Sequence, residues 1–519
     1  MEQGVFPSRV EWALAALTTG FLILSFPNFD SWILAWIALV PLLVAIARRP
    51  SPWRALILGW VTGTVFFYAT CYWLTYSMIH YGGLPAVLAY LLLIPGAVVI
   101  GIFPGIFAAL MALAIRQWGH MALLLAPVFW PALEWTRLGV TGQLWNALGY
   151  SQAYHSMLIT PANWGGVYAV SFIILAINAV VALLIIRRTR WTVLASSLMV
   201  MFVLLTIVLS AEPTSERWNS SDTPSVTIVA LQPNVPMKAI KSVEETKELI
   251  QRHLTLSTSG LQSIPYNGRA SAKLVVWPES PMNFTYGSDH ALQELVANFT
   301  RENHTSLLFN SLERAPADGS YNSALLINDS GRLISQYDKI RLMPFGEYVP
   351  LPQWLPGASL ITGLVGEFTP GNNYTLMPVG EYRAGVFICI ESAYPWIARR
   401  MTTEGADVLI NISNDGYLGP TAVMRQHLAN AIFRAVENGR PVVRVTNTGI
   451  SALIDEKGVV KEQTGSFQTD VRVWGFVPSG RRTFYTRHGD LFVHICAAIT
   501  LLVFIAILFS RRRSFRNLR

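Results

Sequence analysis

Between Arg54 and Arg116 the chain contains not one Asp, Glu, Lys or Arg. A stretch that long and that apolar excludes an ordinary soluble domain, in which roughly a quarter of residues are charged. In hydrocarbon every backbone N–H and C=O needs an internal partner, so such a stretch must fold as helices or a closed barrel. A helix needs about 20 apolar residues to cross about 30 Å of hydrocarbon. The stretch therefore predicts two spans, Ala55–Met78 and Pro85–Ile115, and Pro95 and Pro104 predict a kink or break in the second. The whole chain agrees, with 52% hydrophobic and 13% charged residues in 519.

The same reading places further spans near Trp12–Phe26, Trp32–Ile46, Met121–Trp135, Ala162–Ile186 and Trp191–Ala211, and a last one near Leu491–Phe509. Arginines cluster after alternate spans: Arg48, Arg49 and Arg54, then Arg116, then Arg187, Arg188 and Arg190, then Arg511, Arg512, Arg513 and Arg516. The intervening loops carry almost no charge. The positive-inside rule then predicts eight spans, both termini in the cytoplasm, and the long region before the last span on the outer face. No small-residue cleavage site follows the first span, which predicts a retained anchor.

The domain organisation read from composition is a seven-span region (1–211), a polar linker (212–223), an α/β domain (224–480), a C-terminal transmembrane helix (488–510) and a basic tail (511–519). In 224–480, strand-like runs alternate with helical ones. Expected strands are Ser225–Gln232, Leu274–Trp277, Ser306–Asn310, Ala324–Asn328, Ala384–Ile390, Val408–Ser413, Val442–Thr446 and Ser451–Ile454. Expected helices are Val243–Leu261, His290–Arg301 and Arg425–Asn438. Strands this apolar predict burial on both faces, as in sheets covered by helices.

Composition also bounds the chemistry. Two of the three cysteines, Cys71 and Cys496, fall in apolar segments, so no disulfide framework is expected. No motif with metal-ligand spacing and no phosphate-binding G-x-x-x-x-G-K-[ST] loop occurs, so neither a metal nor ATP-driven transport is indicated. The net charge of +8 lies beside the apolar helices, which points to topology and not to nucleic acid.

Four polar spots close strand-like runs in the α/β region. Gly385–Ile390 ends on Cys389-Ile390-Glu391; Val275-Val276-Trp277-Pro278 ends on Glu279; Tyr337-Asp338-Lys339 leads through Pro344 to Glu347; and Asn411-Ile412-Ser413 leads to Asn414-Asp415-Gly416-Tyr417. Singly, each has a plain alternative: a small buried thiol, a helix cap, a solvated lysine, a turn. Together, W-P-E, D-K-x-R-L-x-P-F-G-E and C-x-E-S in that order resemble the nitrilase (carbon–nitrogen hydrolase) superfamily and its Glu-Lys-Cys triad. Arg434–Pro441 and Thr446–Ser451 are similar to that superfamily too, so the resemblance covers about Ser225–Pro478. The preceding spans, with Ser25–Asp30 and Leu34–Leu42, extend it over nearly the whole chain to the bacterial apolipoprotein N-acyltransferase family. Ile390 stands where that family commonly has Tyr, and Tyr417 and Leu418 where Trp and Phe are common; no triad group is lost.

The resemblance implies a multi-pass α-helical membrane domain plus an extracytoplasmic α/β nitrilase-like domain, an αββα sandwich. It implies an inner-membrane enzyme with its catalytic domain on the periplasmic face and no cofactor. Its Glu279, Lys339 and Cys389 would be catalytic, with Glu347, Glu391, Asn414 and the backbone N–H of Ile390 in support. It implies an acyl donor, phosphatidylethanolamine among phospholipids, and a diacylglyceryl apolipoprotein acceptor, joined through a Cys thioester. The apolar stretch Trp354–Gly366, with Trp354, Leu355, Leu360 and Leu364, reads either as a lid over acyl chains, along with Tyr417, or as an ordinary buried loop. Rival readings are a membrane-tethered amidase using the same triad, a transporter with an outer domain, and a non-catalytic scaffold.

Overall fold

A computed structural model of the protein describes residues 6–210, 225–237, 242–264, 272–316, 319–344, 346–348, 368–478 and 480–516, the last six without their side chains. The chain forms two compact units. One comprises Met1–Glu212, Thr421–Gln426 and His488–Arg519, the other Pro213–Pro420 and His427–Arg487. The linker 212–223 and the stretch Trp354–Gly366, with Trp354, Leu355, Leu360 and Leu364, lie outside the described residues.

The first unit is helical. Helices run over Arg9–Leu24, Val40–Arg48, Pro52–Thr70, Leu74–His80, Ala86–Trp118, Ala126–Thr141, Ala162–Ile186, Arg190–Ser210 and Leu491–Arg516. Each apolar stretch read from sequence is largely helical, but the elements differ in length. Among the described residues four helical stretches are long and apolar enough to cross a membrane, five if the bent pair Pro52–Thr70 and Leu74–His80 is one span. One of the four, Ala86–Thr141, holds 56 residues and takes in two of the expected spans. The first stretch makes a helix of 16 residues. The second divides into a 3-10 turn, Trp32–Trp36, and a helix of 9 residues. Asn178 makes that division tolerable: its amide donates to the Ala35 carbonyl (3.0 Å) and accepts from the Leu39 N–H (2.8 Å), pairing backbone groups the break would orphan.

The expected break at Pro95 and Pro104 does not occur, and Ala86–Trp118 is one helix through both. It packs along Pro52–Thr70 through a seam of small residues. A Cβ on Gly63 would lie 2.7 Å from Pro104 and 2.8 Å from the Gly101 carbonyl, so glycine there permits the close approach of the two helices.

The second unit contains twelve described strands: β1 Val226–Gln232, β2 Ala272–Val276, β3 Ser306–Arg314, β4 Ser320–Ile327, β5 Leu333–Asp338, β6 Leu376–Val379, β7 Tyr382–Ile388, β8 Val408–Ser413, β9 Val442–Thr446, β10 Ala452–Ile454, β11 Val460–Lys461 and β12 Asp470–Phe476. They form two sheets ordered β12-β1-β2-β3-β4-β5 and β11-β10-β9-β8-β7-β6. Each sheet has three central parallel strands, β1-β2-β3 and β7-β8-β9, flanked by antiparallel ones. Strands of opposite sheets touch, β1 against β9 and β2 against β6. The helix Val243–Gln262 covers β1 and β12, His290–Glu302 covers β3 and β4, and Pro395–Glu404 covers β7. The result is an αββα sandwich, and β1, β8 and β9 are buried at every position, as strands covered on both faces must be.

Under one outer helix layer, Val229, Leu231, Val275, Trp277, Leu307, Phe309, Leu325 and Ile327 form one apolar core with Ile250 and Leu254. Strands β5, β6, β11 and β12 were not read from sequence. They lie toward the sheet edges, and β5, β11 and β12 are half exposed and partly polar, so they lack the apolar run that marks a covered strand.

Candidate active site

The polar groups read from sequence sit where strands stop. Pro278 ends β2 and Glu279 follows it; Lys339 follows β5, Cys389 follows β7 and Asn414 follows β8. Parallel strands deliver side chains to a common carboxyl edge, which is where α/β folds place ligands. Cys389 turns the chain sharply, opening a 3-10 turn, Cys389–Ala393, with φ of +53°. That region costs a residue with a Cβ about 1–3 kcal/mol and persists only when the surroundings enforce it.

Lys339 is the hub. Its ammonium lies 2.9 Å from Glu347 Oε1 and 3.4 Å from Glu279 Oε1, with the lysine side chain 1% exposed. Burial by itself lowers its pKa. The charges of Glu279 and Glu347 outweigh burial and hold the group well above its ordinary value, so it is a fixed cation. Asn322, in β4, donates from Nδ2 to both carboxylates, 3.0 Å to Glu279 and 2.6 Å to Glu347. The amide of Asn310, in β3, donates to Asn322 Oδ1 at 2.7 Å and sets that orientation. The other oxygens are held by backbone: Asn414 N–H donates to Glu279 Oε2 (3.0 Å) and Met343 N–H to Glu347 Oε2 (2.7 Å).

Cys389 is partly open to solvent at the residue level. Burial of the sulfur, then the charge of Glu279, pushes its thiol well above the ordinary value, against the opposing ammonium of Lys339. The resting group is therefore a protonated thiol that needs a base before it can attack.

Glu391 does not bond the lysine side chain. It clasps the backbone on either side of the cleft. It accepts from Ile340 N–H (2.7 Å) and Arg341 N–H (3.0 Å) just after Lys339, and from Ile388 N–H (2.7 Å) just before Cys389. The buried Tyr337 hydroxyl donates to both its oxygens at 2.9 Å. Burial pushes the Glu391 carboxyl up to about 7, and the N–H groups of Ile388 and Arg341 pull against that.

Glu279, Lys339, Glu347 and Asn414 thus meet in one hydrogen-bonded cluster that interacts electrostatically with Cys389. Ile390 follows the thiol in the same turn, and Tyr417 lies in the turn after Asn414 and is exposed. Sequence reading passed over Asn310, Asn322, His427 and Arg444. All four are buried, and Arg444 is a charged residue inside the otherwise largely apolar, fully buried strand β9. That position was the available signal, since such residues are almost never buried unless paired.

Among the described residues no group of three or more His, Cys, Asp or Glu could hold a metal ion. A thiol, two carboxylates and a buried ammonium thus stand at neighbouring strand ends, groups of the kind that acyl transfer through a covalent intermediate uses.

Comparison with known proteins agrees. The family described as apolipoprotein N-acyltransferase N-terminal domain matches residues 18–180, and that described as carbon-nitrogen hydrolase matches residues 225–475. An apolipoprotein N-acyltransferase of Geobacter metallireducens is 32% identical over 98% of this chain and 97% of its own. That of Nitrosomonas europaea is 30% identical over 96% of this chain and 98% of its own. That of Thermotoga maritima is 28% identical over 97% and 94%. Among solved structures, a nitrilase-superfamily amidase from Nesterenkonia AN1 aligns at TM-score 0.39 and 16% identity, covering 53% of this chain and 97% of that one. A Saccharomyces cerevisiae member of the same superfamily aligns at 0.38 and 18%, covering 50% and 92%. With both domain families matched in order and relatives 30% and 32% identical over nearly the whole chain, the chain belongs to the apolipoprotein N-acyltransferase family and is a membrane acyltransferase.

Proposed function

We propose that this chain moves the sn-1 acyl chain of a phospholipid, with phosphatidylethanolamine as donor, to the α-amine of the diacylglyceryl-cysteine that begins an apolipoprotein. The observation that carries this reading is the buried Lys339 held between Glu279 and Glu347, with Glu391 tying the backbone just after Lys339 to the backbone just before Cys389.

In the first half-reaction Cys389 Sγ attacks the ester carbonyl while Glu279 takes the thiol proton. The oxyanion forms beside the Lys339 ammonium and the Ile390 backbone N–H. One such donor is typically worth about 3–4 kcal/mol. Collapse breaks the ester C–O bond, Glu279 returns the proton to the departing glycerol oxygen, and lysophospholipid leaves. In the second half-reaction the neutral amine attacks the thioester and Glu279 takes its proton. The amide forms as the Cys389 sulfur leaves and is reprotonated. Glu347 keeps Lys339 in place, and Glu391 keeps the lysine and cysteine turns together. Both substrates are lipid-anchored, so the site faces the outer leaflet of the bacterial inner membrane, in keeping with the arginine pattern of the loops.

The test is intact mass spectrometry of purified protein incubated with phosphatidylethanolamine and no acceptor, beside Cys389→Ser. A hydroxylamine-labile acyl adduct on wild type, absent from the variant and matched by lysophospholipid release, is expected. No adduct and no lysophospholipid would overturn the reading.

A further inference from the structure

Beneath Cys389 lies a buried polar chain that no step above uses. Asp415 accepts from Ser413 Oγ (2.9 Å), from Arg444 Nη2 (2.7 Å) and from His427 Nδ1 (2.7 Å). Arg444 also donates to Asn411 Oδ1. On the far side of the His427 ring, Nε2 lies 3.0 Å from the carbonyl oxygen of Cys389. Asn411 Nδ2 reaches the same oxygen at 3.5 Å and the Phe387 carbonyl at 3.2 Å. Asp415, His427 and Arg444 are at most 2% exposed. A carbonyl accepts and cannot donate, and a carboxylate paired with arginine does the same. Both ring nitrogens of His427 therefore face acceptors.

The carbonyl they reach belongs to a particular peptide. Cys389 C=O and Ile390 N–H share one planar trans unit, so the two bonds point in opposite directions. Ile390 is the second residue of its turn, where an N–H has no acceptor within the turn. Whatever fixes the oxygen aims the N–H. A hydrogen bond to the oxygen also polarises the amide and makes its N–H a stronger donor. The plane needs fixing, because Cys389 stands at φ of +53°, which the chain would leave if released.

We propose that His427, itself held by Asp415, is a positioning residue that aims the Ile390 N–H at the oxyanion of the acyl-transfer step. The inference rests on the reading above, in which that N–H binds the oxyanion.

Two reactions of the same sulfur separate the roles. Acylation by phosphatidylethanolamine passes through an oxyanion; alkylation by iodoacetamide displaces iodide from a saturated carbon and forms none. Full-length wild type, His427→Ala and His427→Gln are compared in both, by intact-mass time courses without acceptor. Removing an oxyanion donor outright costs about 10²–10³ in rate, so misaiming one is expected to slow acylation by roughly 10–100-fold in His427→Ala. The lipid concentration for half-maximal rate and the alkylation rate are expected to stay at wild-type values. His427→Gln keeps one N–H for the carbonyl and is expected to recover part of the acylation rate. If His427→Ala cannot be purified as a monodisperse protein, the glutamine variant decides, as it must show the same selective loss in smaller measure. Unchanged acylation, or acylation and alkylation falling by one common factor, would overturn the inference, the second by showing thiol activation or a folding role. Failure of wild type to acylate, with normal alkylation, would instead bring down the acyltransfer reading and this inference with it.

Discussion

Lys339 Nζ lies 2.9 Å from Glu347 Oε1, closer than the 3.4 Å that separates it from Glu279. The tighter partner is thus not the proposed base. Both members of the pair are buried, so Glu347→Gln leaves the ammonium with a single charged neighbour. Breaking a buried pair costs about 3–5 kcal/mol, and the remaining Glu279 puts the expected loss at the low end of that range. Thermal unfolding in detergent checks this. Glu279→Gln is expected to abolish thioester formation with a smaller loss of stability, and equal destabilisation by the two would contradict the assignment.

Asn322 bridges the two carboxylates, and its replacement separates geometry from charge. Asn322→Leu leaves every charge in place but frees Glu279 and Glu347 to move. A displacement near 1 Å is enough to cost roughly 10²-fold, and acylation is expected to slow by about that much. Asn322→Asp adds a third carboxylate and is expected to be slower still. Acylation rates at saturating lipid make the comparison, and an aspartate variant faster than the leucine one would refute it.

Asp415 links stability to pH in a known direction. Burial raises its carboxyl, but Arg444, His427 and Ser413 outweigh that and hold it well below the ordinary 3.8. A carboxyl depressed in the folded state stabilises fully above its unfolded pKa, about 3.9, and loses that contribution as pH falls through the folded value. Asp415→Asn is therefore expected to lower the melting temperature at pH 7, with the gap narrowing only below about pH 4. A gap that widens on acidification would reverse the sign and refute the pairing.

Gly449 reports on the same carboxylate from outside the network. A Cβ there would stand 2.3 Å from Asp415 Oδ2, so Gly449→Ala must displace the side chain that holds His427. Overpacking of this kind costs about 1–3 kcal/mol. The variant is expected to slow acylation more than alkylation of Cys389, and wild-type behaviour in both would show that Asp415 can shift freely.

In the helical unit, one amide ties four segments together. Gln426 Oε1 accepts from Trp73 Nε1 (3.0 Å) and Trp145 Nε1 (2.8 Å), while its Nε2 donates to the carbonyls of Pro27 (3.2 Å) and Thr70 (3.0 Å). Removing one partner from a buried set costs about 1–3 kcal/mol per group left unmatched. Gln426→Ala is expected to lower thermal stability by at least about 2 kcal/mol, and Gln426→Glu, which turns a buried carboxylate oxygen against the Pro27 and Thr70 carbonyls, is expected to do no better. Equal stability of wild type and Gln426→Ala would refute the clamp.

What sequence alone determined was whatever depends on neighbours in the chain. The apolar stretches of the first unit, the fully covered strands β1, β8 and β9, and the ends of the apolar runs on which Glu279 and Cys389 stand are all local patterns, because burial on two faces leaves a run with no polar relief. The order of the three motifs then pointed to the family. Edge strands β5 and β12 escaped because one open side lets polar residues in and blurs the period. Only the tertiary structure decided the partners: that Lys339 leans on Glu347, that Asn310 and Asn322 orient the carboxylates, that Glu391 grips backbone and not the lysine, and that His427 meets the Cys389 carbonyl across a gap of 38 residues. Such pairings are set by strand order and by the sharp turn at Cys389, and nothing in the sequence near either partner carries them. The same holds for the helix Ala86–Trp118, which runs through Pro95 and Pro104 and, at Pro104, packs against Gly59 and Gly63 of another helix.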